Sequence, residues 1–294
     1  MKLGLLTTLI GALGMSGVIA GEYCPPVSEK CPIECAPDSN GELTIGYHTD
    51  YILHGVRLLR DNITADVNYT FDSLPVPVTL GVTQITGLGS DAINGADESD
   101  IYGAIELPSV MGLTTTVGYI HRFFPTLRTP TNGLADSRGE AWLKIEKDLG
   151  CGINVYYRRG YDFNMPSGAS TLTGNTQDEG AWIHTLGAEK DICLTDAIGL
   201  SLAAGVLYTD NYYPGASTAF VDGTVDHQRA SGWNSYFIKA SLPIALGCNA
   251  TLVPYVGYNG TPDTWLADGV DVNPFDGNNA NDVFHGGVSL TVEF

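Results

Sequence analysis

The polar residues with the clearest spacing lie on alternate positions of short apolar segments. His48, Asp50 and His54 share one face of residues 43–54, and Asp66 and Asn68 share the polar face of residues 62–71. Side chains two residues apart in a strand point to the same side of the sheet. If this polar face lines a narrow interior, charges of opposite sign usually pair there, which predicts a salt-bridged network. A selectivity constriction and a catalytic cluster are the alternatives. Residues with the same alternating placement later in the chain are Glu106, Arg122, Lys144, Glu146, Asn154 and Arg158.

Acyl hydrolysis would need a serine nucleophile within reach of a histidine base. A His-x-Ser pair on one strand face would supply that geometry, and the sequence contains none. His285 and Ser289 are four residues apart, which is too far for a hydrogen bond along a strand. The Asp226-His227 dipeptide is a weak signal for a protease. The sequence therefore predicts that the protein is not an enzyme, and a hydrolase remains an alternative.

The six cysteines predict disulfide bonds if the chain is exported, because oxidising compartments form and preserve them. One group lies in a proline-rich segment before the first alternating segment, and the other group lies in three separate short connections. The spacing Cys-x6-Cys-x3-Cys does not fit a zinc site, so we expect neither a metal nor a cofactor. A bond from the first group to a connection is favoured, and independent local disulfides remain the alternative. The residues are Cys24, Cys31, Cys35, Cys151, Cys193 and Cys248.

The charge balance is strongly acidic, with a formal net charge of −19. Nucleic acid is therefore not an expected partner, because its phosphates need a basic surface. Most carboxylates lie in segments rich in Asp, Asn and Gly, which predict solvated loops. Two of these, 91–100 and 268–282, could bind calcium but lack the spacing of an EF-hand loop.

Alternating segments recur about every twenty residues, and apolar residues make up 44% of the chain. Alternation with period two over ten residues is typical of a strand with one buried face. Twelve strands are predicted, at 43–54, 62–71, 76–86, 99–107, 112–123, 138–147, 152–161, 179–190, 198–209, 231–241, 249–260 and 283–294.

The connections between these strands alternate between short and long. The short ones include 72–75, 108–111 and 148–151, whereas the long ones are 87–98, 124–137, 162–178, 210–230 and 261–282. Short periplasmic turns with long external loops are typical of an outer-membrane β-barrel, although a soluble β-sandwich also has many short strands. The fold class predicted is therefore all-β, a transmembrane antiparallel up-and-down barrel of about twelve strands.

The last strand supports this prediction, because its apolar face from Phe284 ends in the C-terminal aromatic residue Phe294. We expect Phe294 to act as the assembly signal, with the barrel-assembly machinery and the lipid bilayer as partners. At the other end, Lys2 precedes an apolar run that closes with Val18 and Ala20, the pattern of a secretory signal cleaved before Gly21. A retained helix is the alternative. The predicted organisation is a signal peptide at 1–20, a periplasmic tail at 21–41 and a barrel at 42–294, exported through the Sec pathway to the outer membrane.

The stretch from Ile45 to Val56 resembles the opening strand of the TorF-like family of outer-membrane channel proteins. Gly46, Asp50, Tyr51 and Gly55 match the motif of that strand, and His54 stands where the family usually has arginine. The resemblance implies a barrel with a channel role. We therefore expect a narrow passive channel for small solutes. A surface-structural or adhesive barrel with a blocked lumen is the first alternative, and an outer-membrane hydrolase is the second.

Overall fold

A closed antiparallel barrel is the central feature of the computed structural model, which describes residues 40–88, 97–128, 135–164, 180–212, 230–260 and 282–294. Within these ranges the strands are β1 (Gly41–Leu53), β2 (Val56–Phe71), β3 (Val78–Gly87), β4 (Glu98–Val110), β5 (Leu113–Arg128), β6 (Ala135–Asp148), β7 (Ile153–Asn164), β8 (Ala181–Cys193), β9 (Gly199–Tyr212), β10 (Ala230–Ser241), β11 (Ile244–Ala245), β12 (Ala250–Gly260) and β13 (Asp282–Glu293).

Each long strand pairs with the strands before and after it, and the ring closes where β1 pairs with β13. The two-residue β11 lies inside the connection between β10 and β12, which pair directly with each other. Twelve long strands therefore form the wall, as the sequence predicted. With a strand spacing of about 4.8 Å and a tilt of about 40°, such a ring has a backbone diameter of about 24 Å.

The two ends of the barrel differ in their connections. We call the end that carries the short connections, such as Met111-Gly112, the turn end, and the opposite end the loop end. Gly41 and Phe294 meet at the turn end, where each backbone N–H donates to the other residue's carbonyl at 3.0 and 2.9 Å. Both ends of the barrel sequence thus lie on one side, as expected for an even number of strands.

The connection between β1 and β2 breaks the alternation of short and long connections. It lies at the loop end, yet it consists only of His54 and Gly55. Their φ angles of 50° and 83° are both positive, which is the geometry of a type I′ hairpin turn. β2 consequently begins at Val56, six residues before the predicted start.

The outward face of the wall is apolar and exposed. Ile101, Val82 and Val256 are 56%, 52% and 50% exposed, and aromatic rings pack against one another toward the loop end, as in the pair Tyr208 and Trp233. An apolar band with aromatic residues near the interface is the surface that a barrel presents to lipid. No helix among the described residues is long and apolar enough to cross a membrane.

The interior face carries the buried residues, and they are concentrated in the half nearest the loop end. Polar and charged side chains outnumber apolar ones there. The apolar residues are Leu59, Ile85, Phe124, Ile183 and Leu207, and the polar residues are Asn62, Glu98, Asp100, Arg122, Glu140, Asp162, Thr209, Asn234 and Ser235. Glu98 and Asp100 had been expected in a solvated loop; this expectation is wrong, because both lie in β4 and are buried.

Candidate functional site in the barrel interior

The turn between β1 and β2 contacts strands on the far side of the barrel. The ring Nε2 of His54 lies 3.4 Å from Glu140 Oε2 in β6, and Asn234 in β10 donates its side-chain N–H to the His54 carbonyl at 2.8 Å. Four strand spacings separate β2 from β6 along the wall, or about 19 Å. The contact to β6 is therefore made across the barrel and not along its wall.

The approach of this turn to β10 is close at Gly55. A Cβ added at Gly55 would collide with Ser235 Oγ and would lie 3.0 Å from Ser235 Cβ. Glycine is needed here twice, for the positive φ and for this contact. We call the segment Leu53–Val56 the hairpin tip. The hairpin tip turns toward the barrel interior. The alternation in the sequence predicted instead that His54 lies on the regular polar face of β1.

The side chain of Tyr51 turns inward just below the hairpin tip. The pairing of β1 with β2 shifts register directly above it, where Tyr51 pairs with Leu59 but Ile52 pairs with Arg57, so the extra residue is Leu58 in β2. Alternation put Tyr51 on the same face as Ile45 and Tyr47, which are exposed. Instead its hydroxyl donates to Glu98 Oε2 at 3.0 Å and its ring packs against Leu59 and Ile85.

Glu140 is the centre of a buried ion-pair network next to the hairpin tip. Its side chain is 0% exposed and accepts hydrogen bonds from Arg122 Nη2 at 2.8 Å and from Arg158 Nη2. Arg122 also faces Glu98, with Nε 3.5 Å from Oε1. A Cβ at Gly160 would collide with Glu140 Oε1, so this glycine provides the space for the carboxylate. The network links β4, β5, β6 and β7, and His54 connects the hairpin tip to it.

Closer to the turn end, the interior face is polar but only half-buried. Asp66 accepts hydrogen bonds from the hydroxyls of Tyr102 at 3.1 Å and Thr83 at 2.5 Å, and from the side-chain amide of Asn68 at 3.1 Å. Tyr102 lies over Gly81, where a Cβ would collide with its ring. Neutral donors thus hold this carboxylate, in contrast to the arginines around Glu140.

A second half-buried group joins β6 and β7. Lys144 Nζ lies 2.7 Å from Glu146 Oε1, and Asn154 donates to the same oxygen at 3.1 Å. Lys144 also lies 5.0 Å from the centre of the Tyr156 ring, a distance at which the cation and the ring attract each other. Fixed charges of both signs therefore border the interior at this level.

The third group lies across the closing seam of the barrel. His48 Nδ1 is 2.9 Å from the Tyr255 hydroxyl, and Lys239 Nζ lies 4.5 Å from the centre of the Tyr255 ring. His285, in the adjacent strand β13, bonds through Nε2 to Asn259 Oδ1 at 2.8 Å. These rings bond to tyrosine and asparagine and not to a serine hydroxyl.

The sequence candidates thus fall into separate groups. His54, Arg122 and Arg158 meet at Glu140, whereas Asp50 accepts a hydrogen bond from Thr49 at 2.8 Å and Glu106 is exposed near the turn end. Their role in lining a pore stays a prediction. The sequence reasoning missed Glu98, Asp100, Glu140 and Asp162, although Glu140 alternates with Lys144 and Glu146 on one face and could have been found that way.

Several expectations fall wholly or partly outside the described residues. Among them are the signal, Cys24, Cys31 and Cys35, the Asp226-His227 dipeptide, and most of both acidic segments considered for calcium. Of the remaining cysteines, Cys151 lies in the β6–β7 turn, Cys193 ends β8 and Cys248 lies in the connection before β12, all at the turn end. None of these three is a free cysteine. The described residues contain no group of three or more His, Cys, Asp or Glu side chains that could hold a metal ion.

Comparison with known proteins shows the fold alone. No protein-family model matches this chain, and no curated protein matches it either. Among solved structures, the COG4313 outer membrane channel from Pseudomonas putida F1 is 11% identical, with a TM-score of 0.51 over 90% of this chain and 100% of that chain. The KdgM porin is 8% identical, with a TM-score of 0.47 over 86% of this chain and 99% of that chain. The NanC porin is 11% identical, with a TM-score of 0.45 over 86% of this chain and 98% of that chain.

The chain therefore has the fold of an outer-membrane β-barrel. The predicted membership of the TorF-like family is not tested by these similarities and stays a prediction.

Proposed function

We propose that the protein is a narrow passive channel for small solutes across the bacterial outer membrane. The observation that carries the proposal is a polar, charged interior face in a closed barrel whose outer face is apolar. Such an interior can hold water, and water-filled barrels conduct solutes according to their bore and lining charges. The side chains proposed to line the path include His48, Asp50, Asp66, Asn68, Glu106, Lys144 and Glu146.

A barrel with a blocked lumen and a structural or adhesive role is the second candidate. It is favoured by the buried half of the interior at the loop end, where the hairpin tip reaches across to β6 and β10 next to Tyr51 and the Glu140 network. The outer-membrane hydrolase is less supported, because the ring nitrogens of His48 and His184 bond to Tyr255 and Tyr157.

We also propose that disulfides hold the tail, residues 21–41, against the turn end. Three cysteines of the barrel lie at that end and none of them is free. Since three is an odd number, they cannot all pair among themselves. This odd number supports the proposal that, within a single chain, at least one of them bonds to Cys24, Cys31 or Cys35. Peptide mapping without reduction tests this, and finding no such bond would refute it.

Single-channel recording of the purified, folded protein in a planar bilayer tests the channel proposal. The expected result is discrete conductance steps that persist when the protein is purified from a strain lacking the major porins. A matched preparation that was heated until the barrel unfolded should give no steps. If the native protein, a form that lacks residues 21–40 and a form with His54→Asn, which frees the hairpin tip from Glu140, all fail to conduct, the channel proposal is wrong and the blocked barrel is favoured.

A further inference from the structure

We propose that the hairpin tip is a movable internal plug, held closed by a latch that consists of His54, Glu140, Asn234 and Ser235. The proposal rests on the channel function and adds how the channel closes. In this conformation the tip crosses the interior at the loop end. Displacing it toward the wall of β1 and β2 opens the path.

The size of the hairpin tip matches the space that it must fill. Two paired strands lie about 4.8 Å apart, and their side chains bring the width of a hairpin to about 10 Å. In a wall of about 24 Å backbone diameter, side chains project inward on all sides and narrow the bore. The remaining bore is similar in width to the hairpin, about 10 Å. A hairpin tip that crosses such a bore therefore obstructs it.

The contacts that join the hairpin tip to the far wall include two polar ones at His54. They are the His54–Glu140 pair at 3.4 Å and the Asn234 hydrogen bond to the His54 carbonyl at 2.8 Å. Behind the tip, the apolar contact is a small cluster of Tyr51, Leu59 and Ile85. Asp61 has a positive φ of 45°, so the backbone is irregular on the β2 side of the tip.

The backbone below this point is regular. From Gly41 to His48, β1 pairs without interruption with β2 and with β13. The backbone ladder with β13 ends at His48, and above it the Gly286 N–H donates to the Thr49 side-chain oxygen at 3.0 Å. A hairpin whose base is held by ladders on both sides, and whose upper part has left the ladder with β13, can bend at the register shift without opening the barrel wall.

Two kinds of variant test the plug. His54→Asn removes the imidazole that faces Glu140, and asparagine tolerates the positive φ at this position. Glu140→Gln removes the charge of the latch from the other side. Asp148→Asn is the matched control, because Asp148 is an exposed carboxylate of the same strand at the turn end. We expect the mean single-channel conductance, or the fraction of time open, to rise about threefold or more in both latch variants and to stay unchanged in the control.

A crosslink provides the opposite test and does not depend on the stability of Glu140 variants. In Gly55→Cys/Ser235→Cys the two Cβ atoms start about 3.0 Å apart, close enough for a disulfide after a small adjustment. The oxidised protein should lose its openings, and each single variant treated in the same way should keep them. Reduction should restore the channel openings. The increase should be larger than the increase that reduction causes in the wild type, whose own cysteines are also reduced.

The outcomes separate the plug from the channel. Equal conductance in the wild type, both latch variants and the crosslinked protein would overturn the plug and leave the channel in place. No conductance in any of them would overturn both. Openings in the latch variants that vanish in the crosslinked protein would support both proposals.

Discussion

Replacing Glu140 with glutamine should strongly destabilise the barrel, because the carboxylate compensates the buried guanidinium of Arg122 and the partly exposed guanidinium of Arg158. Glu140 is 0% exposed, and Arg122, which bonds to it at 2.8 Å, is 6% exposed at its side chain. The amide keeps the shape but turns one acceptor oxygen into an N–H donor that faces arginine N–H groups. Removing one partner of a buried ion pair typically costs about 3–5 kcal/mol, since the other charge stays buried without compensation.

Glu146→Gln is the matched control in the same strand. Its ion pair with Lys144 is similar in length, at 2.7 Å, but the two side chains are 21% and 29% exposed, so water screens the charges. We expect a loss of about 0–1 kcal/mol there. The assay is reversible urea unfolding of the barrel in detergent micelles, followed by tryptophan fluorescence.

A double-mutant cycle connects the effect to the network. Arg158→Gln combined with Glu140→Gln should cost less than the sum of the single changes, with a coupling of about 0.5–3 kcal/mol. The reasoning is refuted if Glu140→Gln lies within about 1 kcal/mol of the wild type, or if it costs no more than Glu146→Gln.

Three further predictions concern the wall. Phe294→Ala should lower the yield of heat-modifiable barrel in the outer membrane, since the Phe294 ring lies against Gly41 at the closing seam; unchanged yield would contradict the assembly role. Gly81→Val should displace Tyr102 from Asp66 and cost about 1–3 kcal/mol of unfolding free energy through overpacking, whereas Gly112→Ala, in a turn open to solvent, should cost only the strain of its positive φ. Protease added to intact cells should cut within 165–179 or 213–229 and spare the turns at Cys151, Cys193 and Cys248; cuts at those turns would reverse the topology.

Much of the wall could be predicted from the sequence, because lipid on one side and water on the other impose alternation on every strand. The segment 249–260 agrees with β12 to within one residue, and 283–294 agrees with β13 to within one residue. The strand ends were predicted too short at the loop end. β5 and β6 extend into the expected loop 124–137, since β5 ends only at Arg128 and β6 begins at Ala135.

The hairpin tip could not be predicted, because its position depends on contacts distant in sequence. Nothing local to His54 indicates that Glu140 or Asn234 will lie beside it. Tyr51 precedes the register shift, and the extra residue there lies in β2, so the alternation of β1 gives no sign that the Tyr51 side chain turns inward. The histidine and glycine of the turn were visible in the sequence, but their type I′ geometry indicates only a tight hairpin and not its direction.

The two proposed obstructions lie at opposite ends of the interior, and this arrangement fixes the order of their effects. The hairpin tip fills the loop end, and the tail is proposed to cover the turn end. Obstructions in series limit flow through the narrower one, so deleting residues 21–40 in the wild type should change conductance little while the tip is closed. The same deletion in His54→Asn should raise conductance further, and reduction of the disulfides should act in the same way. A large increase from the deletion alone, with no added effect of His54→Asn, would show that the tail and not the hairpin tip is the limiting obstruction.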